Sequence, residues 1–328
     1  MRSDSRGVAV AAVLLALAAS GCGGDWSNAD VEFAAAVPRR TDVTVSLPLE
    51  SGLSASGLRE GGATSFAVGD ASQAAADARR TAAGLDTMAG FFVQILEGAT
   101  RIDPTVRTPE LRIWGPFPNQ DAPGWELQLV ITRQPVKIDP AGPGDPVEGF
   151  YWQIQYKEQA AQQWRQPPLV EGFYEPGEIR RGRGAVGFYT AEFRASGMAN
   201  AKNQSDLGTL AHLTLAYDTR TGQPHTIAMI GMDDAGQQAA IYYQELATLS
   251  GQLGFDLRTT DPAATHIQAL SRWTPDYQGR SDMAVVEGTA SGAHAVECWD
   301  GQQRVVFVSN PWESILGGAE SSCAFGPP

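Results

Sequence analysis

From about residue 104 almost to the C-terminus, apolar and polar residues alternate, and this period of two limits what the chain can become. Trp125, Leu127, Leu129 and Ile131 fall on one side, with Glu126, Gln128 and Thr132 on the other. Phe150, Trp152, Ile154 and Tyr156 likewise oppose Tyr151, Gln153, Gln155 and Lys157. Alternate side chains of an extended chain point to opposite faces, so each segment predicts a strand with one buried and one wet face, the habit of antiparallel sheets. Further strands are predicted near residues 111–114, 170–175, 185–195, 209–217, 225–231, 239–248, 255–259, 266–273, 283–289, 293–299 and 304–309. Short polar segments separate several of them. In residues 218–223 (DTRTGQ) and 233–237 (DDAGQ), glycine supplies the positive φ of a hairpin turn. The Pro/Gly-rich residues 135–149 predict a longer loop.

A meander of this kind needs a cover for its apolar face, and one helix is available. After Asp70 the residues Ala74 to Ala78, Leu85, Met88, Ala89, Phe92, Leu96 and Ala99 recur at helical spacing, and Asp70 or Ser72 can cap the start. Gly84 and Gly90 each weaken the helix by about 1 kcal/mol relative to alanine, so a bend or break is expected there. Ahead of it, residues 42–47 alternate as a surface strand, and residues 51–62 are rich in Ser, Gly and Ala, as expected of a mobile segment. The predicted fold class is mainly β (α+β). It is a curved antiparallel meander sheet or an incomplete β-barrel packed against one long helix, ending in a disulfide-closed C-terminal hairpin.

The N-terminus has a different character. Arg2 and Arg6 precede an apolar run over residues 7–19, which Ser20 and Gly21 close, the layout of a secretion signal. A membrane-crossing helix needs about 20 apolar residues, more than this run offers. Ala19-Ser20-Gly21-Cys22 resembles a bacterial lipobox, in which small residues precede a cysteine that is acylated and becomes the mature N-terminus; the alternative is an ordinary signal with Cys22 incidental. Leu17 stands two residues earlier than the usual lipobox leucine. More than one acyl chain makes a stable anchor where a single chain binds only marginally. Gly23 in place of Asp implies the outer membrane, by similarity to enterobacterial sorting. The expected organisation is a signal at 1–21, a lipidated tether and extended segment at 22–69, a helix-plus-sheet domain at 70–273, and a C-terminal β segment at 274–328 belonging to the same domain.

Export also bears on the other two of the three cysteines, Cys298 and Cys323, the pair left to form a disulfide in an oxidising compartment. His294 lies four residues before Cys298, so a Cys/His dyad is the competing arrangement. The formal net charge of −13 does not suit nucleic acid and gives no electrostatic attraction to anionic lipid, which leaves anchoring to the acyl chains.

Motifs of chemistry are scarce. GRGAVG at 182–187 matches GxGxxG, but it is followed by a predicted strand where dinucleotide binding needs a helix, so it reads as a glycine-rich hairpin loop, with Arg180, Arg181 and Arg183 a solvated basic tip. Contact with lipid phosphates or an acidic partner is a lesser use for that tip. The four histidines, 212, 225, 266 and 294, form no HExxH or closely spaced pair for a metal. Asp139, Asp145 and Glu148 match no calcium-loop spacing, and no G-x-S-x-G elbow occurs. The expectation is therefore no enzyme, no metal and no cofactor. The aromatic stripes read first as core, and as an alternative some inward rings, for instance Trp152 or Phe188, line a cavity for an apolar ligand, whereas in a filled core they pack against the Phe92 and Leu96 face.

RWTPDYQGRSDM at 272–283, ECWD at 297–300 and SSCAF at 321–325 together resemble the C-terminal part of uncharacterised bacterial lipoproteins common in myxobacteria. FAAAVP at 33–38 and IWGPF at 113–117 are similar to earlier segments of the same family. The resemblance implies the lipid anchor and the Cys298–Cys323 bond and carries no activity; Arg280 and Ser281-Asp282 read as a turn after Tyr277. The functional expectation is a non-enzymatic envelope lipoprotein, held to its membrane by the acylated Cys22 and binding a lipid or other apolar ligand. The alternative is a structural protein with a filled core and an envelope-protein partner.

Overall fold

The computed structural model describes residues 27–45, 47, 67–120, 122–138, 145–178, 181–198, 208–247, 249–259 and 264–328. The alternating sequence forms fifteen strands, each paired antiparallel with its neighbours in chain order, so one meander makes one sheet. In order these are β1 (Val106–Arg107), β2 (Leu111–Pro118), β3 (Trp125–Val136), β4 (Val147–Glu158), β5 (Val170–Pro176), β6 (Gly182–Phe188), β7 (Leu210–Asp218) and β8 (Thr226–Asp233). They continue as β9 (Gln238–Ala247), β10 (Ser250–Thr259), β11 (Thr265–Trp273), β12 (Gly279–Glu287), β13 (His294–Trp299), β14 (Val305–Asn310) and β15 (Ile315–Gly318). The sheet is open and does not curl into a closed barrel: β1 and β15 each have a single strand neighbour. The expected hairpin turns form, with Gly222 at φ 77° and Gly236 at φ 79°.

Among the described residues three α-helices accompany the sheet: α1 (Asn28–Ala34), α2 (Gln73–Ala99) and α3 (Thr190–Ala195). Ala75, Ala78, Ala82, Leu85, Ala89, Val93 and Leu96 of α2 are buried, three or four residues apart, and this stripe lies on the inner face of the sheet. The helix runs unbroken through Gly84 and Gly90, because burial of the stripe outweighs their local cost. Its first turn sits at β13, where the Tyr277 hydroxyl donates to the Ala75 carbonyl and Ser72 bonds Glu297. Its far end reaches β2, where the Trp114 indole donates to the Ile102 carbonyl just beyond the helix. At 1.5 Å per residue, α2 spans about 40 Å across the strands.

Beside α2, the segment from α1 to Val45 covers the inner face from β2 to β9. Phe33 meets Phe150 edge-on at 5.1 Å, Val43 and Val45 are buried, and the His225 ring lies 3.0 Å from the Asp42 carbonyl. Asp30 pins α1 to the sheet: its fully buried carboxylate accepts from Arg112 at 2.5 Å and from Arg107 at 3.3 Å.

Inward aromatic rings lie over glycines directly opposite on the next strand. Trp152 covers Gly172, Tyr217 covers Gly184, Trp273 covers Gly251 and Trp299 covers Gly279; a Cβ on Gly172 would stand 2.4 Å from the indole and one on Gly279 2.1 Å. On the outer face Tyr242 covers Gly254 in the same way. GRGAVG is accordingly the start of strand β6 and not a loop, its glycines making room for the rings of Tyr174 and Tyr217. Arg183 is correspondingly no solvated tip, since Glu175 holds it at 2.6 Å.

Three further expectations are corrected. The described part of the strand expected over 42–47 is not a strand, because Asp42 takes the Arg39 backbone N–H at 2.8 Å and closes a 3-10 turn over Arg40–Asp42. The strand expected over 185–195 stops at Phe188 and becomes α3, held by Arg194 gripping both Asp234 oxygens at 2.7 and 2.8 Å. Arg280 and Asp282 are strand residues of β12, nearly fully buried, and not a turn. Residues 51–62, expected to be mobile, lie outside the described residues.

Candidate functional site

Cys22 lies outside the described residues. Cys298 and Cys323 form the expected disulfide, so the Cys298 sulfur is committed and the Cys/His arrangement does not arise. His294 instead faces Asp282 at 3.5 Å. Trp152 and Phe188, expected as ligand-lining, are buried in the main core together with Leu96. The side chain of Phe92 is outside the described set. Both residues sit on strands where α2 and the α1–Val45 segment lie together over the sheet.

The space that is open lies elsewhere. Along β10 to β14 only the first half of α2 covers the inner face, and the side chains below it shrink. The register places Leu253, Ser271, Ser281, Glu297 and Val308 in one cross-strand row, and Phe255, Ala269, Met283 and Ala295 in the next. The small residues of β11, β12 and β13 form a floor, Leu253 and Phe255 one wall and Val308 the other, with Ala74, Ala78 and Thr81 of α2 above. The result is a mainly apolar groove of about 360 Å³, at the lower end of what small-molecule sites offer. Met283 lies in it 37% exposed, so the groove is open to solvent.

One end of the groove is polar. Glu297 is buried and its carboxylate accepts from the Ser72 hydroxyl at 2.5 Å and from the Ala74 N–H at 3.0 Å, while Ser72 caps α2 by accepting from Ala75 at 3.0 Å. Burial raises the Glu297 pKa above the ordinary glutamate value, and the hydrogen bonds only partly oppose that. Nearby, the Ser271 hydroxyl donates to Ser281 at 3.1 Å. The groove thus presents an apolar length and a small hydrogen-bonding end, an arrangement able to hold a molecule that is apolar along most of its length.

A second cavity, about 370 Å³, is polar and lies at the β7–β8 turn among Arg39, Asp42, Arg220, His225 and Glu245. Arg181 also lines it; of its three arginines, Arg39 is paired by Asp42 at 3.0 Å and Arg220 by Asp218 at 2.6 Å. Among the described residues no cluster of His, Cys, Asp or Glu is arranged to hold a metal, and no helix is long and apolar enough to cross a membrane.

Sequence reasoning missed Leu253, Phe255, Ala269, Ser271, Ser281, Met283 and Ala295 as a site. The available signal was the loss of inward bulk along β11 to β13, which becomes visible only once the register aligns those strands. Comparison of the chain with protein-family models, with curated proteins and with solved structures finds no match.

Proposed function

We propose that this chain is a lipid-anchored protein of the outer membrane that holds an apolar molecule, such as a lipid acyl chain, in the groove between α2 and β10–β14. The observation that carries the reading is the uncovered floor of Ala269, Ser271, Ser281 and Ala295 beneath the first half of α2. Burying an aliphatic chain there releases about 25 cal/mol per Å² of apolar surface withdrawn from water. The lipobox resemblance at Cys22 supports the anchor, and the reading assigns no catalytic residue.

The test is uptake of a fluorescent polyene fatty acid by the Cys22→Ser chain, with Ala269→Trp and Ala295→Trp filling the groove. Binding that falls at least tenfold in both variants, at unchanged melting temperature, is the expected result. Binding that survives both substitutions removes the groove from the reading. Absence of any binding favours the second reading, an interaction protein of the envelope. That reading has its own support in the filled core around Trp152 and Phe188.

A further inference from the structure

We propose that the protein stands on the β1 edge of its sheet against the bilayer that anchors it, and so carries the groove about one helix length away from that bilayer. The proposal rests on the acylation of Cys22.

Only residues 23–27 separate Cys22 from α1, and five residues reach at most about 18 Å in any conformation. α1 is fixed to one edge of the molecule. Asp30 holds Arg112 and Arg107, Glu32 meets Arg133 at 2.7 Å, and Phe33 rests on Phe150. The lipid therefore draws the surface made by α1, β1 and the loop from α2 to β1 to the membrane.

That surface suits a lipid headgroup layer. It exposes the aliphatic side chains Val31 (41%), Ile102 (47%) and Val106 (39%), with Arg101 and Arg107 among them. Small apolar groups enter the headgroup boundary. Glu32, Glu97 and Asp103 here each face an arginine, at 2.7, 3.7 and 3.7 Å, within a chain of net charge −13. Laying the whole acidic molecule flat on an anionic bilayer meets more repulsion than standing it on this edge.

Trp312 and Leu316 are also exposed, but they lie beside β15, fourteen strand spacings from β1. At about 4.8 Å per spacing that is roughly 67 Å, beyond the tether's reach. The groove borders the first turns of α2, whereas the anchored edge borders its last, about 40 Å apart along the helix. Held upright, the groove opens away from its own bilayer and towards whatever else crosses that space.

The experiment uses full-length acylated protein on phosphatidylethanolamine and phosphatidylglycerol vesicles containing a nitroxide-labelled lipid. A fluorophore is attached at Val106→Cys, Met283→Cys or Leu316→Cys, all solvent-exposed positions. Flotation with the vesicles, with quenching at 106 several-fold above that at 283 and 316, is expected. Flotation with comparable quenching at all three positions means that the molecule lies flat and overturns the orientation alone. Flotation without quenching at 106 does the same. A protein that fails to float overturns the anchor, and the orientation with it.

Discussion

Asp30 occupies a fully buried position because its carboxylate oxygens have donors there: Arg112, Arg107 and the Ser27 backbone N–H. Burial alone would raise its pKa, but these bonds and the Arg107 charge outweigh it and hold the group at about 2. Since the folded value lies below the ordinary 3.8, the associated stability is fully present above that pH and is lost as pH falls towards about 2. Asp30→Ala leaves Arg112 buried and unpaired, and should cost about 3 kcal/mol, read from the urea midpoint at pH 7. At the inner face, Gly172→Ala forces a methyl into the Trp152 ring and should cost about 1 to 3 kcal/mol, seen as a lowered melting temperature. Neither effect is legible in the sequence, where Asp30 is one acidic residue among many and Gly172 one glycine among 36.

At the scale of elements, α2 depends on how it begins. Ser72→Ala removes both the cap to Ala75 and the bond to Glu297, and should cost about 1 kcal/mol in thermal or chemical denaturation. Glu297 has a folded pKa above its ordinary value, so its contribution is most favourable at acid pH and declines as pH rises through the folded value. Glu297→Gln, which keeps an acceptor for Ser72 and Ala74 without the charge, should therefore stabilise at pH 8 relative to the parent, with the gain vanishing near pH 4. A gain of equal size at both pH values contradicts this. Strands announced themselves through a period of two, and α2 through its three-and-four spacing, because burial writes those periods into composition. Short elements do not carry a period: β1, β15 and the six-residue α3 fall below the length at which two and 3.6 can be told apart. Residues 42–47 alternate like a strand, yet one local bond from Asp42 decides the turn.

For the molecule as a whole, the C-terminal residues close the outer face over β11 to β14. The bond from Cys298 to Cys323 pins them, Arg280 joins Asp282 and Glu320 at 2.8 Å each, and Arg272 donates to the Gly326 carbonyl at 2.6 Å. The segments at 272–283, 297–300 and 321–325 thus meet in one place. The bridge spans 25 residues, so the Cys298→Ala/Cys323→Ala protein should lose roughly 3 to 4 kcal/mol of equilibrium stability. The groove was not legible in advance because it consists of missing bulk on strands whose alignment the sequence does not state.

The longer alternating strands of one meander also pose a problem of identity, since a slip of one residue would turn a strand's apolar side to water. The rings over glycine act as keyed joints against such errors: Trp152 fits opposite Gly172, Tyr217 opposite Gly184, Tyr242 opposite Gly254, Trp273 opposite Gly251 and Trp299 opposite Gly279. Each ring finds its notch in one neighbouring strand at one alignment, so these glycines serve assembly fidelity, proofreading the order of the sheet as it grows.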